Sequence, residues 1–107
     1  MLIQYVKDQL AVGGFDVPDP QAAAKLASRQ RWRLIVAEVA AEYGLTPADI
    51  LSPDIKRKTA WPRHKAMFRI RNETPLSLPE IGRRLGGRHH ATILHGIRAH
   101  ARRMASQ

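Results

Sequence analysis

The sequence has 107 residues, of which 44% are hydrophobic, and this length and composition predict one globular domain rather than a disordered chain. It contains no cysteine, which excludes a disulfide framework, a thiolate zinc site and a cysteine nucleophile and fits a reducing cytoplasm. The formal net charge of +9 indicates a polyanionic partner, of which nucleic acid is the commonest.

The positive charge is confined to the second half of the chain. Residues 1–52 contain five Lys and Arg against six Asp and Glu, a net charge of −1, whereas residues 53–107 contain thirteen against three, a net charge of +10. A membrane surface is the rival partner, but the basic half lacks the large apolar face that an interfacial helix buries. The apolar run at residues 34–37 is too short to span a bilayer and no signal peptide is present, so we expect a cytoplasmic protein.

The first half of the chain is predicted to be helical. Residues 1–12 form a helix ended by two glycines, with four apolar side chains on one face: Leu2, Ile3, Val6 and Leu10. A second helical pattern covers residues 21–43, with Asp19 as N-cap, Pro20 at its start and a break near Ser28. Its buried stripe is expected to contain Leu34, Ile35, Val36, Val39, Ala40 and Tyr43. Thr46 and Asp49 resemble a capping box, which predicts a short helix over residues 47–51.

The second half begins with a stretch, "SPDIKRKTAW", that is predicted to be a basic loop. Pro62 is placed in the first turn of the helix that follows, which is expected to extend to about Asn72. Ser77 and Glu80 form a second capping box, and the helix that starts there is ended by the glycines at 86 and 87. A last helix starts at His89 or His90, and its inward side chains are expected to be Ile93, Leu94, Ile97, Ala101 and Met104.

The last two helices are joined by a tight glycine turn, and the second of them is basic. This pattern is typical of a helix-turn-helix, in which the first residues of the second helix face the edges of bases. We therefore predict an all-α fold, with an N-terminal helical extension at residues 1–30 and a DNA-binding domain at residues 31–107.

The stretch "SLPEIGRRLGGRHHATILH", residues 77–95, resembles the signature of the C-terminal DNA-binding domain of the bacterial replication initiator DnaA. Upstream, "RKTAWPRHKAM" resembles the basic loop and following helix of that family, and "IVAEVAAEYGLTPADILS" resembles its first helices. The resemblance runs without gaps from about residue 32 to residue 104. It implies a Trp-repressor-like helix-turn-helix that binds short asymmetric boxes in duplex DNA.

The resemblance also implies a set of DNA contacts outside the last helix. Arg57 corresponds to a basic-loop arginine that enters the minor groove, where the negative potential favours a guanidinium, and Lys58 lies beside it in the predicted loop 56–63. Arg63 and Arg71 correspond to basic positions linked to the DNA backbone. They are therefore expected to contact phosphates, which position a protein without reading sequence.

In the last helix, Arg88, His90, Thr92 and His95 match the family motif directly. An arginine can bond guanine or a phosphate, a histidine can bond a base edge, and a threonine methyl group can pack on the methyl group of thymine. His95 matches a position that lies near the DNA backbone.

Three residues depart from the family pattern. His89 replaces an aspartate, which can only accept hydrogen bonds, whereas a neutral imidazole can both donate and accept. Ala91 replaces a threonine and keeps only a methyl group, and Trp61 replaces an arginine that could contact phosphate. These changes predict a preferred DNA sequence that differs from the initiator box.

The sequence argues against catalysis and against a metal or cofactor. His90 and His95 are five residues apart and so do not share a helix face, and neither an H-E-x-x-H motif nor a carboxylate-rich neighbourhood accompanies them. The phosphate-binding motif G-x-x-x-x-G-K-[ST] is absent, so no nucleotide is expected. We therefore predict a stand-alone double-stranded DNA-binding protein rather than an enzyme.

Three functions are compatible with this interpretation. The first is a small transcriptional regulator, and the second is a modulator of replication initiation that occupies initiator-like boxes. The third is an adaptor that docks a protein partner through the helix predicted at residues 1–12, whose apolar face could also form a homodimer. RNA ranks lower as a partner, because the narrow major groove of A-form RNA does not admit a helix.

Overall fold

The computed structural model describes residues 19–106, and within that range it contains helices and no strand. The all-α prediction is confirmed for this part of the chain. The helix predicted for residues 1–12, with its proposed docking or homodimer face, lies outside the described residues. In chain order, the described helices are α1 (Pro20–Gln30), α2 (Trp32–Glu42), α3 (Pro47–Leu51), α4 (Arg57–Glu73), α5 (Leu78–Arg84) and α6 (His90–Ala105).

The predicted start of α1 is confirmed, and the predicted break is found three residues later than expected. Asp19 Oδ1 accepts a hydrogen bond from Gln21 N at 3.2 Å, and Pro20 is the first helical residue. The break lies at Arg31, whose amide donates to Ser28 O at 3.3 Å. All residues of α1 are exposed, so this helix extends from the domain without contributing to its core.

The core lies where α2, α4, α5 and α6 meet, with α3 closing one end. Its fully buried side chains are mostly aliphatic: Ile35, Val36, Val39, Ile50, Met67, Ile70, Leu76, Ile81, Leu85 and Ile93. Two residues predicted for the α2 stripe are not buried, since Leu34 is 52% exposed and Tyr43 is 46% exposed. Leu34 faces almost opposite the buried stripe at 100° per residue, and Tyr43 follows the last residue of α2.

The inward face of α6 is shorter than predicted. Ile93 is buried and Leu94 and Ile97 are partly buried, but Ala101 and Met104 are exposed. Gly96 and Ala99 are buried instead. A Cβ atom on Gly96 would overlap Met67 Sδ and lie 3.0 Å from His64 Cδ2, so α6 crosses α4 closely there and a larger residue would have to displace these two side chains.

The predicted basic loop 56–63 is wrong, because residues 57–63 form the first two turns of α4. Asp54 Oδ1 accepts from Lys56 N at 2.9 Å, and Lys56 O accepts from the amides of Thr59 and Ala60, which starts the helix five residues before Pro62. An interior proline removes one helical hydrogen bond. The ring of Pro62 is fully buried here, and this packing offsets the loss.

Both predicted capping boxes are confirmed, at Thr46–Asp49 and at Ser77–Glu80. After α5 the chain reverses through Gly86 and Gly87, whose φ angles of 78° and 72° are in the left-handed region that favours glycine. The helix-turn-helix is closed by a hydrogen bond from Arg88 N to Gly82 O at 2.8 Å. The turn therefore fixes where α6 begins relative to α5.

Candidate nucleic-acid interface

The first turns of α6 present an exposed polar edge to solvent. Five predicted contact residues lie on it, and all are exposed: His89, His90, Ala91, Thr92 and His95. His89 is the N-cap of the helix, with its ring centroid 4.1 Å from that of His90. The helix start thus offers imidazole nitrogens, a hydroxyl and methyl groups, which are the groups that read base edges in a major groove.

The His89 ring is oriented by its own helix. Its Nδ1 accepts a hydrogen bond from Ala91 N at 3.1 Å. In a neutral imidazole one nitrogen accepts and the other carries the proton. Since Nδ1 is the acceptor in this cap, the proton of the neutral ring lies on Nε2, which is available to donate outward.

A second exposed basic group lies at the start of α4. Arg57 and Lys58 are both exposed, as predicted for residues that meet DNA, although they lie in a helix rather than a loop. The guanidinium carbon of Arg57 is 5.3 Å from the ring centroid of Trp61. The guanidinium carbon of Arg103 lies 4.4 Å from the same ring centroid, so Trp61, which is 44% exposed, contacts two cations.

Arg71 is also exposed, near the C-terminal end of α4. Its Nη1 donates to Leu76 O at 3.2 Å, which holds the turn before α5. This bond uses one of the five guanidinium donors, so the remaining ones can still contact a phosphate.

Arg63 is the predicted phosphate contact that the structure contradicts. The residue is 4% exposed, and its guanidinium donates to the backbone carbonyl oxygens of Ile50 (2.7 Å), Ser52 (2.8 Å), Asp54 (2.8 Å) and Asp49 (3.3 Å). Burial, and then the nearby guanidinium of Arg88, lower the pKa of Arg63 from its usual value. Arg63 therefore caps the end of α3 and the segment after it and does not face a ligand.

Arg88 is partly buried, in contrast to its neighbours at the start of α6. Its Nη1 donates to Leu85 O at 2.6 Å, and its Nη2 donates to Ser52 O. Burial lowers the pKa of this guanidinium. The predicted contact of Arg88 with guanine or phosphate would have to compete with these two bonds.

Ion pairs occupy the glutamates of the described residues and leave many exposed cations outside such pairs. Every glutamate of residues 19–106 pairs with a basic side chain: Glu38 with Arg69, Glu42 with Lys65, Glu73 with Arg69 and Arg31, and Glu80 with Arg29. Exposed basic residues outside these pairs include Lys56, Arg57, Lys58, Arg83, Arg84, Arg98 and Arg102. Most of these cations lie at the start of α4, at the end of α5 and on α6, while Lys25, Arg33 and Arg71 are further exposed cations outside these pairs.

Arg83 and Arg84 were not singled out from the sequence, although they lie in the last turn of α5, directly before the glycine turn. Both are exposed. The signal was present in the sequence, because "RRLGG" places two positive charges one turn away from the expected DNA-reading residues.

His64 lies half-buried under α6. Its Nδ1 is 2.8 Å from Arg103 Nη2, and its ring meets that of His95 edge-on at 6.1 Å. Burial, followed by repulsion from Arg103, His95 and Arg63, lowers the pKa of His64 from 6.5 to about 4. The neutral ring is therefore part of the contact between α4 and α6.

This lowered pKa leads to an expected pH dependence of stability. Between pH 6.5 and about 4, the unfolded chain binds a proton at His64 that the folded chain does not, so the free energy of unfolding falls as the pH falls. Allowing for solvent screening of a half-exposed ring, we expect a loss of about 1–2 kcal/mol. Denaturant unfolding at pH 7 and pH 4.5 measures it.

The matched control is His64→Gln, which keeps a hydrogen-bond acceptor for Arg103 but does not titrate. The variant is expected to lose less stability on acidification than the parent. An equal loss in both proteins would assign the pH dependence to other groups, such as Glu73 and Glu80, whose pKa values are lowered by Arg69 and by Ser77, respectively.

The described part of the chain offers neither a metal cluster nor a membrane span. Over residues 19–106, no cluster of three or more His, Asp or Glu side chains could hold a metal ion. No helix in the same range is long and apolar enough to cross a membrane.

Comparison with known proteins identifies the family of the helix-turn-helix region and several proteins that are similar to it. Residues 32–99 match the family described as the bacterial dnaA protein helix-turn-helix, which confirms the resemblance seen at residues 77–95. The chromosomal replication initiator protein DnaA of Cereibacter sphaeroides is 48% identical over 64 residues, or 60% of this chain and 14% of that protein. The same protein of Caulobacter vibrioides is 49% identical over 59 residues, or 55% of this chain and 12% of that protein.

The initiator of Bartonella quintana is 44% identical over 72 residues, which is 67% of this chain and 15% of that protein. The chain thus spans only 12–15% of the length of these three relatives.

Proposed function

Because the chain belongs to the bacterial DnaA helix-turn-helix family, we propose that it binds duplex DNA at specific sequences through the start of α6. The observation that carries this proposal is the exposed edge of His89, His90, Ala91, Thr92 and His95 at a helix start that the glycine turn holds in place. A B-form major groove admits such a helix, and its first residues then reach the base edges.

The charge distribution supports the same orientation. Exposed cations outside ion pairs precede and follow this edge in sequence, at Arg83, Arg84 and Arg98, and others lie at the start of α4, including Arg57 and Lys58. We place those two residues at the minor groove or the adjacent phosphates, and Arg71 at a phosphate. Residues 31–107 form the DNA-binding unit in this proposal, and residues 1–30 are an extension of it.

For the biological role, we propose a modulator of replication initiation that occupies boxes related to those of the initiators. Each relative named above is a replication initiator. The alternative of a transcriptional regulator has no support from these relatives. The chain acts by binding in this proposal, and no catalytic step is assigned to it.

The departure at His89 predicts how the preferred DNA sequence should differ from the initiator box. The family aspartate accepts a hydrogen bond and suits the amino group of cytosine, whereas the neutral His89 ring donates from Nε2. In the major groove, guanine O6 and N7, thymine O4 and adenine N7 are acceptors, whereas cytosine offers only a donor. We therefore expect a base other than cytosine to face His89.

Selection of bound sequences from a random duplex library tests this function. We expect enrichment of an initiator-like box in which the base that faces His89 is not cytosine, and a shift of that position to cytosine in His89→Asp. Enrichment of an unrelated motif would favour a regulator with its own specificity. Absence of any enriched sequence would contradict sequence-specific binding.

Base reading and phosphate contact are expected to separate in two single variants. His90→Ala should cost about 1–3 kcal/mol on the selected site and little on unrelated duplexes, because it removes a base contact. Lys58→Ala should weaken binding to both and lower the slope of log K against log salt by about one unit, because it removes a phosphate contact. Titrations at several salt concentrations measure both. Equal losses on all duplexes in both variants would contradict base reading by α6.

A further inference from the structure

The segment between α3 and α4, residues 52–56, is held directly against the start of α6. Arg88 forms the connection, because its guanidinium donates at one end to Leu85 O, at the end of α5, and at the other end to Ser52 O. The turn itself is close to α3, since a Cβ atom on Gly86 would lie 2.6 Å from Leu51 O and 2.8 Å from Arg88 Nη1.

A second guanidinium fixes the same segment from inside the domain. Arg63 Nη2 donates to Ser52 O at 2.8 Å, and Arg63 Nη1 donates to Asp54 O at 2.8 Å. The Ser52 carbonyl therefore accepts from both arginines. Two like charges in partly buried positions are unfavourable by themselves, so their convergence on one carbonyl indicates that these hydrogen bonds hold the segment in place.

We propose that Arg88 is a positioning residue, which holds residues 52–56 and the first turn of α4 at a fixed spacing from the first turn of α6. The two elements then engage DNA as one preformed unit, because the segment between α3 and α4 does not have to be ordered on binding. This inference rests on the proposed function. It replaces the direct guanine or phosphate contact predicted for Arg88 and accounts for its partial burial.

A double-mutant cycle between Arg88 and Arg57 tests the coupling. If Arg88 positions the start of α4, Arg57→Ala should weaken binding to the selected box by a factor that is about fivefold smaller in the Arg88→Ala background than in the parent. The salt slope should fall by about one unit in Arg57→Ala, and by clearly less than one further unit when Arg57→Ala is added to Arg88→Ala, because the Arg57 contact is already weakened there. Additive losses in both affinity and salt slope would show a direct phosphate contact of Arg88 and overturn the proposal.

Two variants separate positioning from charge and from folding. Arg33→Ala removes an equal charge from an exposed site on α2 and is expected to change binding by less than about twofold. Arg88→Lys keeps the charge but cannot reproduce the bidentate geometry, and it is used in the same cycle if Arg88→Ala does not fold. If Arg88 contacts a phosphate, Arg88→Lys should leave the salt slope unchanged, and Arg57→Ala should have the same effect as in the parent. If Arg88 is a positioning residue, Arg57→Ala should have a smaller effect in Arg88→Lys than in the parent.

A measurement without DNA distinguishes failure of this inference from failure of the proposed function. Hydrogen exchange of the backbone amide of Lys56 should be faster in Arg88→Ala or Arg88→Lys than in the parent, while exchange within α2 should be unchanged. Unchanged exchange at Lys56 would overturn positioning even if DNA binding is confirmed. Faster exchange in a protein that selects no DNA sequence would overturn the DNA-binding proposal and, with it, the role of Arg88 in binding.

Discussion

Replacing Arg63 with alanine is expected to lower the free energy of unfolding by about 3 kcal/mol or more. The side chain is 4% exposed and donates to four backbone carbonyl oxygens, which belong to Asp49, Ile50, Ser52 and Asp54. Alanine leaves those acceptors without their partner and opens a void at the end of α3. Arg63→Lys is expected to recover only part of the loss, because an ammonium group cannot match the fork of a guanidinium.

The measurement is denaturant unfolding of the parent, Arg63→Ala and Arg63→Lys, with Lys58→Ala as the charge-matched surface control. The control should change the free energy of unfolding by less than about 0.5 kcal/mol. The sequence-based assignment of Arg63 to a phosphate contact makes the opposite prediction: unaltered stability and a salt slope of DNA binding reduced by about one unit. A stable Arg63→Ala variant with such a reduced slope would show that the buried side chain leaves its carbonyls to contact DNA.

The parts of the fold that could be predicted from sequence are those fixed by neighbouring residues. The two capping boxes and the glycine turn at Gly86 depend on partners only two or three residues away, so their spacing is visible in the sequence. The exposed residues at the start of α6 follow from that turn. For this reason, the start of α6 was predicted to within one residue.

The roles of Arg63 and Arg88 could not be predicted, because their partners are distant in sequence. Arg63 reaches carbonyls 9 to 14 residues away, and Arg88 reaches Ser52, which is 36 residues away. In the sequence both arginines lie in basic stretches, and this pattern predicts exposed cations. The start of α4 was missed for a different reason, since interior proline is costly in helices and Pro62 therefore suggested a later start.

The apolar stripes predicted for α2 and α6 were also overestimates. Helical spacing itself places Leu34 opposite the buried stripe of α2, but for Tyr43 and Met104 the reason is tertiary. Helical spacing shows which side chains can share a face, but the number of helices that cover that face decides which of them are buried. Tyr43 lies past the end of α2 and Met104 near the end of α6, and each is about half exposed.

Gly82→Ala is expected to be the most damaging conservative change within the helix-turn-helix. A Cβ atom at position 82 would overlap Arg88 O and lie 3.1 Å from Arg88 C, and both of these atoms belong to the backbone of the turn. A flexible side chain could move aside, but this backbone is fixed by the hydrogen bond from Arg88 N to Gly82 O. We expect a net loss of about 3 kcal/mol, even though alanine favours a helix by about 1 kcal/mol over glycine.

The matched control is Gly44→Ala, at a site where φ is +69° and no heavy atom lies within 4 Å of the added Cβ. It should cost only the left-handed backbone penalty, about 1 kcal/mol. Unfolding measurements compare the two variants, and DNA titrations of the folded fraction compare their specificity. Because the clash pushes the turn away from α5, Gly82→Ala should lose affinity for the selected box more than for unrelated duplexes. A Gly82→Ala variant as stable and as specific as Gly44→Ala would mean that the contact between α5 and the turn does not fix where the reading edge of α6 lies.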